Sequence, residues 1–208
     1  MNHGEGGAID WESSYLDGDW PWDLGEPAPP LLDLLANRPP EIWGPGPVLV
    51  PGCGRGHDAH ALAAAGHSVL ALDLSPTAVD LAAARYRATR GLTFMTGDFL
   101  DPDLAAGHGP ASAIFEHTCF CALPPARRGD YVAAAARWLP GGGRFVGLFF
   151  LDPPPREDGT GGPPYRASRA EIRDLFAPFF RIHGARQPRN SASERMGREW
   201  LVEMVRNP

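Results

Sequence analysis

No apolar run in this 208-residue sequence approaches the roughly 20 residues that a membrane helix needs. Positive charge is also short: 19 Lys and Arg face 25 Asp and Glu, a formal net charge of −6. A nucleic-acid or anionic-membrane binder would want a basic face, so neither partner is expected. The first ten residues, MNHGEGGAID, lack a positive start and an apolar stretch, so no secretory signal is expected. Cysteine is scarce and odd in number, at three, which does not suggest a disulfide framework. These features together predict a reducing, cytoplasmic setting.

What is present fits one globular domain spanning 1–208. The hydrophobic fraction is an ordinary 43%, and the 25 glycines and 23 prolines fall mostly between apolar runs, as turns do. Residues 1–10 are expected to be disordered, or ordered only by a ligand. Residues 11–40 hold Trp11, Tyr15, Trp20 and Trp22 and two short helices, one from near Asp10 and one near Pro29–Ala36. Thereafter short β-rich runs alternate with helical patterns. The runs are PVLV (47–50), SVLALDL (68–74), LTFMTGDFL (92–100), PASAIFEHTCF (110–120) and GRFVGLFFL (143–151). Helices are predicted over His57–Ala65, from the Ser75-Pro76 cap, from Pro124-Pro125 to Leu139, and over Ser168–Phe176. FFRIHGARQP and EWLVEMVR read as an antiparallel pair. The fold class expected is α/β: a three-layer sandwich around a seven-stranded, mostly parallel sheet with an antiparallel C-terminal strand.

VLVPGCGRGHDAH follows the first strand, where doubly wound sheets bind ligands. Gly52 and Gly54 let the backbone approach a ligand closely, and the next helix start offers free N–H groups. Asp73 ends the second strand, beside Leu74 and Ser75. A carboxylate there has two oxygens to match two ribose hydroxyls. Asp98-Phe99 closes the third strand, where an acid and an aromatic could bond and stack on an adenine. A nicotinamide-binding reading stays open, because Gly54-x-Gly56-x-x-Ala59 satisfies the dinucleotide fingerprint as a string. A metal site is not expected: Cys53, His57, Asp58, His60 and His67 show neither Cys-x-x-Cys nor His-x-x-x-His spacing. Asp58 reads instead as a helix-start residue, Cys119 and Cys121 as packing residues on opposite faces of a strand, and Arg127-Arg128 and Arg137 as a solvated helix face.

The combination WESSYLDGDWPWDLGEPAP, VLVPGCGRGHD, LDLS, GDFL, IFEHTCFCALPP and GGPPYRAS resembles the thiopurine S-methyltransferase superfamily. Within it the chain is most similar to the thiol and halide methyltransferases of plants and microbes. That resemblance implies the class I methyltransferase sheet and S-adenosylmethionine as cofactor. It implies that residues 11–40 form an N-terminal lid, with Trp11, Tyr15 and Trp22 closing over the cofactor, and that Gly52 meets its methionine part. It further implies Asp73 at the ribose, Asp98 and Phe99 at the adenine, and His117 at the methionine end. Tyr165, and with it Cys121, would face the acceptor. Tyr15 stands where relatives usually carry Trp. His117 stands where halide enzymes tend to have Tyr and thiopurine enzymes Arg.

The acceptor expected is a small thiol, thiocyanate or halide ion, because a soft anion needs no general base. His117 and Tyr165 are the candidate catalytic residues, His117 either as a base or as a cofactor contact. Methylation of an aromatic thiol or of an O/N acceptor with His117 as base remains an alternative. A nicotinamide-dependent oxidoreductase and a non-catalytic cofactor-binding protein are the others. The protein is expected to be a monomer or weak homodimer.

Overall fold

The computed structural model describes residues 10–154 and 161–208. Most of the segment expected to be disordered, and part of the proline-rich loop after the fifth strand, lie outside the described residues. Among those described, no helix is long and apolar enough to cross a membrane.

Seven strands form one sheet: β1 (Val48–Pro51), β2 (Val69–Asp73), β3 (Leu92–Thr96), β4 (Ala113–His117), β5 (Arg144–Phe150), β6 (Phe180–Arg186) and β7 (Glu199–Arg206). Their order is β3-β2-β1-β4-β5-β7-β6, with β7 antiparallel to both neighbours and β1 to β5 parallel. The helices are α1 (Trp11–Asp17), α2 (Pro29–Asn37), α3 (His57–Ala64), α4 (Pro76–Tyr86), α5 (Pro102–His108), α6 (Arg128–Trp138) and α7 (Arg169–Phe176).

Strand alternation divides the core into two layers. Val48 and Val50 of β1, Phe115 of β4 and Leu148 of β5 pack with Leu31, Leu34, Ala59 and Leu62 of α2 and α3. Leu49, Ile114, Phe145 and Phe149 face the opposite way, onto Tyr131, Trp138, Ile172 and Phe176 of α6 and α7. Because both faces are covered, the central strands read as nearly unbroken apolar runs.

The expected strands and terminal hairpin are present; β2 and β5 are a residue shorter at each end than predicted, and two strands are shorter by more: β3 stops at Thr96 and β4 runs only from Ala113 to His117. Cys119 and Cys121 therefore do not alternate along a strand. Cys119 sits before a 3-10 turn, Phe120–Ala122, that carries the chain off the sheet. The helix predicted from Pro124 begins at Arg128, after a separate turn at Pro125–Arg127. Helix α5 was not expected; Asp101 accepts from the Asp103 amide at its start, and Pro102 fills the first helical position.

Candidate active site

The carboxyl ends of β1 and β4 open into a cleft of about 510 Å³, counted out to solvent. Its floor is the loop after β1. Gly52 and Gly54 both hold a left-handed backbone, with φ of 57° and 52°. A Cβ on Gly52 would stand 2.9 Å from Cys119, and one on Gly54 would stand 2.9 Å from the Tyr15 hydroxyl. Any other residue would meet both strain and collision there.

Asp73 braces this loop from the tip of β2. One oxygen accepts the Gly54 amide at 2.8 Å and the other accepts the Ser75 amide at 3.0 Å. Burial pushes its pKa up, against the pull of those amides. Each carboxylate oxygen retains a further lone pair. Leu74 beside it is 52% exposed; neither residue is in the cleft lining itself, which meets Asp73 through the Gly54 it braces.

Residues 11–26 pack over the loop as a knot of aromatic rings. Trp11 meets Trp22 edge-on at 5.3 Å, and Trp22 meets Tyr15 at 5.9 Å. Tyr15 stacks on Trp20, and the Arg55 guanidinium lies 5.0 Å from the Trp20 ring. Tyr15 and Trp22 line the cleft directly, whereas Trp11 backs Trp22. A carboxylate pins this segment: Glu12 accepts from the Ser75 and Thr77 hydroxyls at 2.5 Å each and from the Thr77 amide at 3.2 Å. These bonds hold its pKa below the usual carboxylate range.

His117 ends β4 on the α3 side, and both its nitrogens are engaged. Nδ1 lies 2.6 Å from Asp58 Oδ2, and Nε2 lies 2.6 Å from Arg195 Nη1. Burial and the Arg195 cation disfavour a charged ring, but the Asp58 and Glu199 carboxylates outweigh them and push His117 up to about 9. The Arg195 contact as placed is that of the uncharged ring. A guanidinium only donates, so Nε2 must accept and the ring is the neutral Nδ1–H tautomer. Thr118, next along, is the one non-glycine residue with positive φ among those described, at 66°.

Several expected site residues lie elsewhere. Ser75 is fully buried; its hydroxyl caps α4 by accepting from Ala78 and donates to Glu12, leaving no side chain for a cofactor. The Phe99 ring is in the core, between Tyr131 and Trp138, and not open for stacking on an adenine. Asp98 is exposed and accepts the Leu100 amide. Tyr165 does not line the cleft; its amide donates to the Cys121 carbonyl at 2.6 Å, which docks the GGPPY segment on the turn after β4.

Asp58 stands in the first turn of α3, as expected, but its side chain does not cap the helix. It bonds the Ala28 amide at 2.7 Å as well as His117. Arg128 is not solvated either: it is 1% exposed and bonds Glu171 and the carbonyls of Tyr165 and Arg166. Glu116 points away from His117, as alternation required, and accepts from Tyr131 and Phe120. His57 bonds Tyr86, His60 stacks on Tyr86, and His67 packs on Trp43. Among the described residues no group of three or more His, Cys, Asp or Glu could hold a metal ion.

Arg195 and Glu199 were not anticipated. The sequence did carry a signal for Glu199: alternation puts it on the same face of β7 as the apolar Leu201, and both are buried.

Residues 7–207 match the Thiopurine S-methyltransferase family. The chain belongs to that family. It is a methyltransferase of the S-adenosylmethionine-dependent class, and the glycine floor and braced Asp73 suit such a cofactor. The thiocyanate methyltransferase 1 of Brassica oleracea is 31% identical, across 95% of this chain and 83% of its own. A 2-heptyl-1-hydroxyquinolin-4(1H)-one methyltransferase from Mycobacteroides abscessus is 33% identical, across 83% of this chain and 76% of its own. A solved structure described under the conversion of a disulfide bond into a thioacetal group during echinomycin biosynthesis superposes with a TM-score of 0.73. It is 25% identical, with 93% of this chain and 91% of that one covered.

Proposed function

We propose that this family member methylates a small soft nucleophile, such as a thiol, thiocyanate or halide ion, under a lid formed by residues 11–28. The observation that carries the reading is that, among the described residues, each ring nitrogen of the two histidines lining the cleft has a partner beside it; for His57 these are Tyr86 and Asp23. The two nitrogens of His117 are committed to Asp58 and Arg195. Burial pushes the thiols of Cys53 and Cys119 well up and that of Cys121 to about 12. The chain contains no lysine. An acceptor that is already nucleophilic suits such a site, whereas a neutral alcohol would need a proton acceptor.

S-adenosylmethionine, when bound, supplies an electrophilic methyl on a sulfonium. The chain's part is to bind, align and dry the reactants. Gly52 and Gly54 give the cofactor room against the backbone. Asp73 offers its remaining lone pairs to the ribose, and Leu74 an apolar surface beside it. Tyr15 and Trp22, which line the cleft, exclude water and supply aromatic rings, whose π-systems attract a cation.

Calorimetry with S-adenosylhomocysteine and with NADH tests the cofactor. Binding of NADH alone would overturn the assignment. Turnover with iodide, thiocyanate, hydrosulfide and an aromatic thiol then tests the acceptor. Methylation of a neutral alcohol, with none of these four accepted, would refute the soft-nucleophile reading.

A further inference from the structure

Arg195 joins the N-terminal segment to His117. Nη2 donates to the Trp22 carbonyl at 2.6 Å, while Nη1 donates to His117 Nε2. On the far side of the imidazole, Asp58 bonds the Ala28 amide. Two ends of one short segment, Trp22 and Ala28, are thus tied through Arg195 and Asp58 to a single ring. The guanidinium is nearly buried, 5% exposed for the residue, and its carbon lies 5.5 Å from the Phe150 ring centre.

The arrangement has a second resting place for the cation. Glu199 Oε1 lies 3.8 Å from Arg195 and 3.7 Å from His117. Its Oε2 is buried and, among the described residues, has no hydrogen-bond partner. A buried carboxylate oxygen without a donor carries a desolvation cost that a shifted guanidinium would relieve.

We propose that Arg195 is a positioning residue that couples lid closure to the protonation state of His117. This rests on residues 11–28 serving as the lid of the preceding section. With Nε2 bare, Arg195 holds Trp22 and the segment is closed. A proton taken from water onto Nε2 puts N–H against N–H. Arg195 then leaves for Glu199, the Trp22 carbonyl is freed, and the segment loosens. The charged groups facing His117 are Asp58 from α3, Glu199 from β7 and Arg195 from the turn before it. Glu116 is its neighbour on β4, on the opposite face.

The sign follows. Closure requires the neutral ring, so it is complete at high pH and lost as pH falls through the His117 titration. In the wild type, release of S-adenosylhomocysteine, followed by tryptophan fluorescence, should quicken as pH falls from 10 to 8, through the His117 value of about 9. Arg195→Met should release roughly tenfold faster at high pH, as expected for one lost bond from a charged donor, and lose the pH dependence. Arg195→Lys, which keeps charge but not the fork, should also lose it. An unchanged rate and profile in both variants would overturn the coupling.

A cofactor-free readout stands beside this. Nitrogen-15 NMR of His117 in the ligand-free protein should show an upward shift of about one pH unit in Arg195→Met, because a cation opposing protonation is gone. No shift, or a cationic ring in the closed complex, would refute the proposal. Should Arg195→Met fail to fold by circular dichroism, Glu199→Gln decides: removing the second resting place should flatten the pH dependence of release, and an unaltered profile would refute the mechanism. Failure of the wild type to bind S-adenosylhomocysteine would count against the cofactor assignment, while the His117 shift would still decide the coupling.

Discussion

Asp73→Asn should damage the protein twice, and the two losses can be measured apart. In the native loop each carboxylate oxygen takes one backbone amide, Gly54 at 2.8 Å and Ser75 at 3.0 Å. Asparagine keeps the shape but turns one acceptor into an NH2 donor. Whichever way the amide is placed, one backbone N–H then faces another donor. Leaving a buried amide unpaired costs about 1–3 kcal/mol. A protein of this size loses about 2–4 °C in Tm per kcal/mol, so the ligand-free variant should melt several degrees lower. One relief is built in. Burial already raises the pKa of Asp73, so the neutral amide escapes part of the carboxylate's desolvation cost. The stability loss should therefore fall toward the low end. Cofactor affinity should fall further, since a ribose hydroxyl loses a charged acceptor worth about 1.5–3 kcal/mol, or roughly ten- to a hundredfold in Kd. Differential scanning calorimetry of the apo protein gives the first number and titration with S-adenosylhomocysteine the second. A variant with wild-type Tm would refute the bracing of the loop by Asp73. Wild-type affinity would refute its place at the ribose.

Glu12→Gln should leave the core intact but weaken the hold of α1 on the start of α4, seen as faster S-adenosylhomocysteine release and easier proteolysis before residue 28; equal rates would show that the bonds to Ser75 and Thr77 do not restrain the segment. Arg128→Met should cost on the order of 3 kcal/mol in chemical denaturation, because two carbonyls and Glu171 lose a buried donor; a loss below about 1 kcal/mol would mean that water replaces it. Glu116 is the reverse of the usual carboxylate: burial, against the bonds from Tyr131 and Phe120, pushes it up to about 7. Its raised folded value makes stability greatest when it is protonated, and about 3 kcal/mol is lost as pH rises from the unfolded value near 4.5 through 7. Glu116→Gln should flatten that slope in urea melts, and an unchanged slope would remove Glu116 as its source.

The sheet was legible because its determinants are local. Buried parallel strands announce themselves as apolar runs, and the Ser75-Pro76 cap marks a helix start without tertiary information. Helix α5 offered the same kind of signal in Asp101-Pro102. It was masked because LTFMTGDFL reads as one continuous strand, whereas the chain leaves the sheet after Thr96. The floor of the site was legible for a similar reason: glycines at a strand tip and an acid at the next tip are short-range patterns with a direct steric and hydrogen-bonding meaning.

The polar side chains were harder to read, because their roles follow from which face they occupy and what another element brings to it. Arg128 lies three residues before Tyr131 and seven before Ala135, on the apolar face of α6, so helical spacing already placed it inside. Its charge suggested solvent, but the backbone carbonyls of Tyr165 and Arg166 and the Glu171 carboxylate offset the cost of burying it. The same reasoning applies at His117. Alone on its strand, a histidine at a sheet tip is a natural base. Asp58 from α3 and Arg195 from the turn before β7 remove that freedom by taking one nitrogen each, and neither contact has a local signature. A base needs a bare nitrogen aimed at the acceptor, so the elements that pack against His117 govern its chemistry more than its own strand does. The residue type suggested proton transfer to an acceptor; in the structure the ring stands between Asp58 and Arg195, bonded through them to Ala28 and Trp22 of the segment above the cleft.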